Sequence, residues 1–147
     1  MNLRRVAVPA LAAWVVAIVY AAVVNNILLR SELIRYPGVY RSAHQAAANL
    51  PFTLVGSLLA MVVATIIYSR GYAGGSGFAE GARFGTLLGL YGDGVWFSLY
   101  ASLNIGGRLA LYGCLVTFGQ ALLIGVVIGL TYAAPRPSMS KVAAAHA

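Results

Sequence analysis

Residues 81–107 read GARFGTLLGLYGDGVWFSLYASLNIGG and residues 108–133 read RLALYGCLVTFGQALLIGVVIGLTYA. On each side of the Gly106-Gly107 turn lies an apolar run reaching the roughly 20 residues that a helix needs to cross the hydrocarbon of a bilayer. Gly81, Gly85 and Gly89 repeat at helical spacing with Gly92 on the same face, and Ala121, Gly125 and Gly129 answer them in the second run. Small residues spaced in this way let two membrane helices bring their backbones together. Counting outward from a reversal between Ile105 and Gly106, residue 85 falls level with about residue 126, and residue 89 with about residue 122. The pattern predicts an unusually tight antiparallel hairpin.

Two further apolar runs precede this one. Spans of about 6–29, 51–69, 82–104 and 108–133 predict an all-α integral membrane protein, a four-transmembrane-helix bundle that forms a single membrane domain over residues 1–147. Composition agrees: with 61% hydrophobic and 9% charged residues, a soluble fold would leave large apolar patches in water. The net charge of +7 does not imply nucleic acid, because the basic residues stand singly at the ends of apolar runs instead of forming a stripe interleaved with aromatics. Such residues anchor helix ends at lipid headgroups, so the expected partner is the lipid bilayer. Cys114 is the single cysteine; it excludes an intrachain disulfide and any Cys-based metal or iron–sulfur site.

Met1–Arg5 followed by an apolar run has the layout of a secretory signal, but Val6–Leu29 is about twice the usual length of the apolar part, so the run reads as an uncleaved first helix. Pro9 is expected in its first turn, and Ala10, Ala13, Ala17 and Ala21 form a smooth stripe for a neighbouring helix. Arg30–Asn49 is the longest polar connection; Pro37 and Gly38 break it, and Tyr40–Asn49 has the makings of a short interfacial helix. His44, in that segment, is a possible contact for a ligand or partner, although without a second His or an acid at helical spacing it reads first as an interfacial side chain. The second span carries its own small stripe at Thr53, Ser57, Ala60 and Ala64, with Thr65 beside it. The loop Gly71–Gly81 is rich in glycine but lacks the Lys-Ser or Lys-Thr of a phosphate-binding loop, which leaves a flexible connection. The tail 135–147, with Pro135 and Pro137 and no apolar period, reads as irregular.

Basic residues also set orientation. With the N-terminus inside, Arg4, Arg5, Arg70, Arg83, Arg136 and Lys141 face the cytoplasm, while Arg30, Arg35, Arg41 and Arg108 lie outside. The expectation is a multi-pass protein of the cell membrane with both termini cytoplasmic.

Asp93 is the residue that demands a chemical account. It lies near the middle of the third span, where an unpaired carboxylate costs at least about 2.5 kcal/mol. Arg83 and Arg108 are about 15 and 22 Å away along the hairpin, too far to pair with it. Thr117 and Tyr100 are the candidate groups for sharing a proton or ion with Asp93, whereas Gln120, nearly level with it, turns off that face toward another helix or a partner. No nucleophile, base and orienting group occur at informative spacing, and the sequence assigns no cofactor. The leading expectation is a non-enzymatic integral membrane subunit or assembly protein of a larger complex, with other membrane subunits as partners. The alternative is a small proton- or cation-coupled transporter or channel that uses Asp93.

Overall fold

Where no water reaches, an N–H or C=O left unbonded within its own segment stays unsatisfied, so apolar runs of this length fold as helices. The computed structural model describes residues 3–133, with side chains from Arg5 onward; the side chain of Arg4, and Arg136, Lys141 and the rest of the tail 135–147, lie outside that range. The elements are α1 (Leu3–Val24), α2 (Arg30–Leu33), α3 (Ala43–Ala48), α4 (Leu50–Gly71), α5 (Gly77–Ser102) and α6 (Gly107–Ala133), with a π-helical turn, Asn25–Leu29, joining α1 to α2. Strands are absent among the described residues.

Three stretches are long and apolar enough to cross a membrane: Arg5–Leu33, Leu50–Gly71 and Gly107–Ala133. The fourth, α5, has the length at 26 residues, but its glycines, its tyrosines and Asp93 lower its hydropathy and keep it outside that set. The first span is also longer than residues 6–29, because the helix continues through the π turn to Leu33. At its other end α1 begins at Leu3, so Pro9 lies inside the helix and not in its first turn. The interfacial helix is shorter than Tyr40–Asn49: the Ser42 hydroxyl accepts from the Gln45 N–H at 3.3 Å and the Gln45 carboxamide accepts from the Ser42 N–H at 3.2 Å, a capping box that starts α3 at Ala43.

The long helices stand in the order α4, α1, α6, α5, with α1 packed on both α4 and α6, and α6 on α5. Ala10, Ala13 and Ala17 turn inward, and a core of Ala13, Ala17, Ala64, Tyr68, Ile124 and Ile128 forms where α1, α4 and α6 meet. On α4 the small stripe is only partly used: Ala64 and Thr65 are buried, whereas Thr53 and Ala60 are exposed. Side-chain bonds cross the layer at intervals. Trp14 donates its indole N–H to Ser57 at 2.9 Å, and Tyr20 donates to the Val116 carbonyl at 3.1 Å. At one end Tyr68, Tyr72, Phe84 and Tyr132 stack edge to face, and the Arg5 guanidinium lies 4.5 Å over the Tyr132 ring. At the other, Val24, Leu29, Ile105 and Leu109 close a second core.

Between α5 and α6 the backbones touch. The Gly81 and Gly125 positions each face the other's carbonyl, Gly77 faces Gly129, and a Cβ at Gly85 would lie 2.7 Å from the Ala121 oxygen and 2.8 Å from Leu122 Cα. Gly85 thus packs between Ala121 and Gly125, centred about three residues short of residue 126 and so less than a helical turn off the expected register. The reason is local: α5 stops at Ser102, and Leu103 is extended (φ −110°, ψ 147°), so the chain turns back earlier than Ile105–Gly106. From Gly89 onward the surfaces change character, for Gly89 meets the Phe118 ring and Gly92 the Thr117 methyl.

Gly125→Leu is expected to lower the stability of the purified chain by about 1–3 kcal/mol, the usual scale of overpacking, since a Cβ there would sit 2.5 Å from Gly85 backbone atoms. Gly56→Ala, where nothing lies within 4 Å, should leave the denaturation midpoint in detergent unchanged or raised.

Candidate functional site

Trp96 decides the geometry around Asp93. One turn beyond the acid, its indole lies across Gly113, where a Cβ would be 2.5 Å from Cδ2, and its N–H donates to Thr117 Oγ1 at 2.8 Å. Only glycine at position 113 leaves room for the ring. Thr117 is consequently the acceptor for Trp96 in an indole–hydroxyl bond that bridges α5 and α6, and Asp93 Oδ1 takes no bond from it. Tyr100 does not join the site either: it is exposed, and its hydroxyl lies 3.9 Å from the Cβ position of Gly107, at the far end of α5.

The acid itself remains alone. Asp93 Oδ1 is buried and has no hydrogen-bond partner among the described residues. A carboxylate oxygen at this depth needs a donor or a proton. Gln120 supplies neither, because its carboxamide donates to the Ala17 carbonyl of α1 at 3.0 Å. His44 is exposed on α3, remote in sequence and element from the α5–α6 seam. Among the described residues no group of three His, Cys, Asp or Glu could hold a metal.

A second charged cluster, unforeseen in the sequence, closes the opposite end of the molecule from Arg5. Glu32 is only 3% exposed; its carboxylate oxygens lie 3.6 Å from Arg35 Nη1 and 3.4 Å from Arg108 Nε. Arg108 also donates to the Tyr112 hydroxyl at 3.2 Å. Beside it, the Gly106 N–H donates to the Tyr36 hydroxyl at 2.9 Å, which pins the Arg30–Asn49 connection to the α5–α6 turn. Burial among the same residues pushes the Tyr40 phenol above its ordinary value. The available signal was the position of Glu32, a single acid among four arginines at that end and three residues before Arg35.

The glycine-rich connection also has an internal anion. Glu80 accepts from the Ala73 N–H at 3.1 Å and from the Gly75 N–H at 2.7 Å. Gly74, at φ +90°, provides the left-handed residue that folds the turn around this carboxylate.

The fold and the seam define an all-helical protein with three helices apolar enough to cross a membrane, in which one oxygen of Asp93, Oδ1, has no hydrogen-bond partner among the described residues. No protein-family model matches the chain, and no curated protein or solved structure matches it.

Trp96→Phe should lower stability by about 1 kcal/mol, the net worth of one such hydrogen bond. In a double-mutant cycle with Thr117→Val the second substitution should then add little, since both remove the same interaction.

Proposed function

We propose that this chain is a non-enzymatic subunit or accessory protein of a larger membrane complex, with four membrane-crossing helices in which α5 and α6 form a tight hairpin. Support for the fourth crossing comes from what α5 exposes: Leu87, Leu90, Tyr91 and Phe97 lie outward, a surface suited to lipid or to another helix. α4 has a similar face in Phe52, Val55, Leu59 and Ile67. End contacts support the same path, since Arg5 and the Tyr68–Tyr132 cluster occupy one end and the Glu32–Arg108 pair the other. The arginine and lysine distribution favours cytoplasmic termini in a cell membrane.

The observation that carries the reading is the unpartnered Asp93 Oδ1. Arg35 and Arg108 are committed to Glu32, Arg5 stacks on Tyr132, and Arg83 is about 15 Å up the helix. A group brought by another polypeptide supplies what the described residues do not offer Oδ1, and an acid waiting for that group is tolerable because α5 is the end of the row. The transport reading needs water at Asp93 instead. Neither the cavity at Arg41 and Asn49 nor the one at Glu32 and Arg108 includes it.

Asp93→Leu separates these readings. As a subunit, the variant chain is as stable as the wild type or more so, because an apolar side chain replaces an orphaned acid, yet the polypeptides that co-purify with the wild type in nanodiscs are lost. Wild-type particles that contain a single copy of this chain and nothing else overturn the proposal. Proton or cation uptake by liposomes holding only this chain, abolished by Asp93→Asn, establishes the transporter in its place.

A further inference from the structure

Arg108 is held without being used up. Its Nε lies against Glu32, one Nη2 hydrogen goes to Tyr112, and its guanidinium sits 5.4 Å over the Tyr112 ring. The side chain is nevertheless 64% exposed, and Nη1 carries no hydrogen bond among the described residues. With Arg35 beside it and a single acid between them, the cluster has a net positive charge.

This cluster forms the rim of a cavity of about 290 Å³. Ser31, Glu32, Arg108 and Tyr112 line its polar mouth; Ile27, Leu28, Leu115 and Val116 line the rest. From Arg108 to Leu115 the groove follows α6 for about 10 Å toward mid-membrane. Polar and apolar parts are therefore arranged along one axis: a cation at the depth where apolar helices end, then an open aliphatic channel below it. The π turn Asn25–Leu29 supplies the opposite wall with Ile27 and Leu28, and π turns recur where helices build sites.

We propose that this groove binds one anionic phospholipid, its phosphate on Arg108 with help from Ser31 and Tyr112, and its first acyl methylenes against Ile27, Leu28 and Leu115. A planar guanidinium suits two phosphate oxygens at once, and Glu32 with Tyr112 fixes its plane beforehand. A free phosphate would satisfy the mouth alone and leave the channel empty, so the channel is the argument for a lipid. The inference stands apart from the role of Asp93, which lies elsewhere on α5.

The test titrates the full chain in detergent with phosphatidylglycerol and counts bound lipids by native mass spectrometry, with inorganic phosphate and glycerol phosphate in parallel. One lipid is expected to remain bound at low excess. Arg108→Gln should weaken it roughly tenfold, the value of one charge-assisted contact, and Arg108→Lys less. Leu115→Trp, which keeps every charge and fills the channel at an exposed position, should weaken it comparably, while Arg70→Gln at the other end should not. Unchanged lipid retention in both Arg108→Gln and Leu115→Trp overturns the proposal. So does glycerol phosphate binding as tightly as the lipid, which would assign the cluster to a soluble phosphate.

Discussion

Direct contact between two stretches of main chain is the constraint from which the rest of the structure follows. In a bilayer there is no hydrophobic gain in bringing helices together, so association depends on close packing and on whatever polar bonds can form. Glycines at 77, 81 and 85 facing Ala121, Gly125 and Gly129 remove the side chains that would hold α5 and α6 apart. That contact fixes the register, and the register places Trp96 over Gly113 and under the Thr117 hydroxyl. Asp93 is left with no bond for Oδ1 among the described residues. It also explains how the least apolar of the long helices keeps its place: α5 is secured by its contact with α6.

Beyond that pair, the layer is joined by single polar groups, each crossing one interface. Trp14 ties α1 to α4, while Gln120 and Tyr20 tie α1 to α6. Each such bond is worth about 0.6–2 kcal/mol in a membrane, small beside the packing but directional. They specify how the rods are rotated, which apolar contacts alone leave loose. The two ends are fastened by different chemistry, stacked aromatic rings with a guanidinium at one and, at the other, a buried acid paired with exposed arginines together with a phenol–amide bond.

Reading the sequence recovered the parts that depend on periodicity. The helical class, the approximate spans and the glycine faces at 81, 85, 125 and 129 were visible because helical spacing is local information. Ala10, Ala13 and Ala17 were visible for the same reason, and Asp93 stood out by charge and depth alone. Less accessible was anything decided by a change in winding or by a partner distant in the chain. The level of α5 against α6 shifted by less than a turn because α5 ends at Ser102 and Leu103 is extended, ahead of the two turn glycines. Thr117 is a candidate for Asp93 by its helix face, and the sequence does not reveal that the Trp96 indole N–H reaches its hydroxyl across Gly113. Glu32 looked like a loop residue because the first span was ended too early.

The π turn between α1 and α2 accounts for that last misreading. Inward-facing positions follow the usual rhythm through Ala13, Ala17 and Val24, and the next is Leu29, five residues on, followed by Glu32. The extra residue shifts the azimuth of everything beyond it by about 100°. Removing a single amino acid from Asn25–Leu29 would restore ordinary coiling, swing the Glu32 carboxyl out toward the acyl chains, and strand Arg108 without its counter-charge. An insertion or deletion elsewhere in the exposed connection before α3 would leave that alignment intact. The length of this five-residue segment, more than the identity of its side chains, therefore holds acid and base in the same plane.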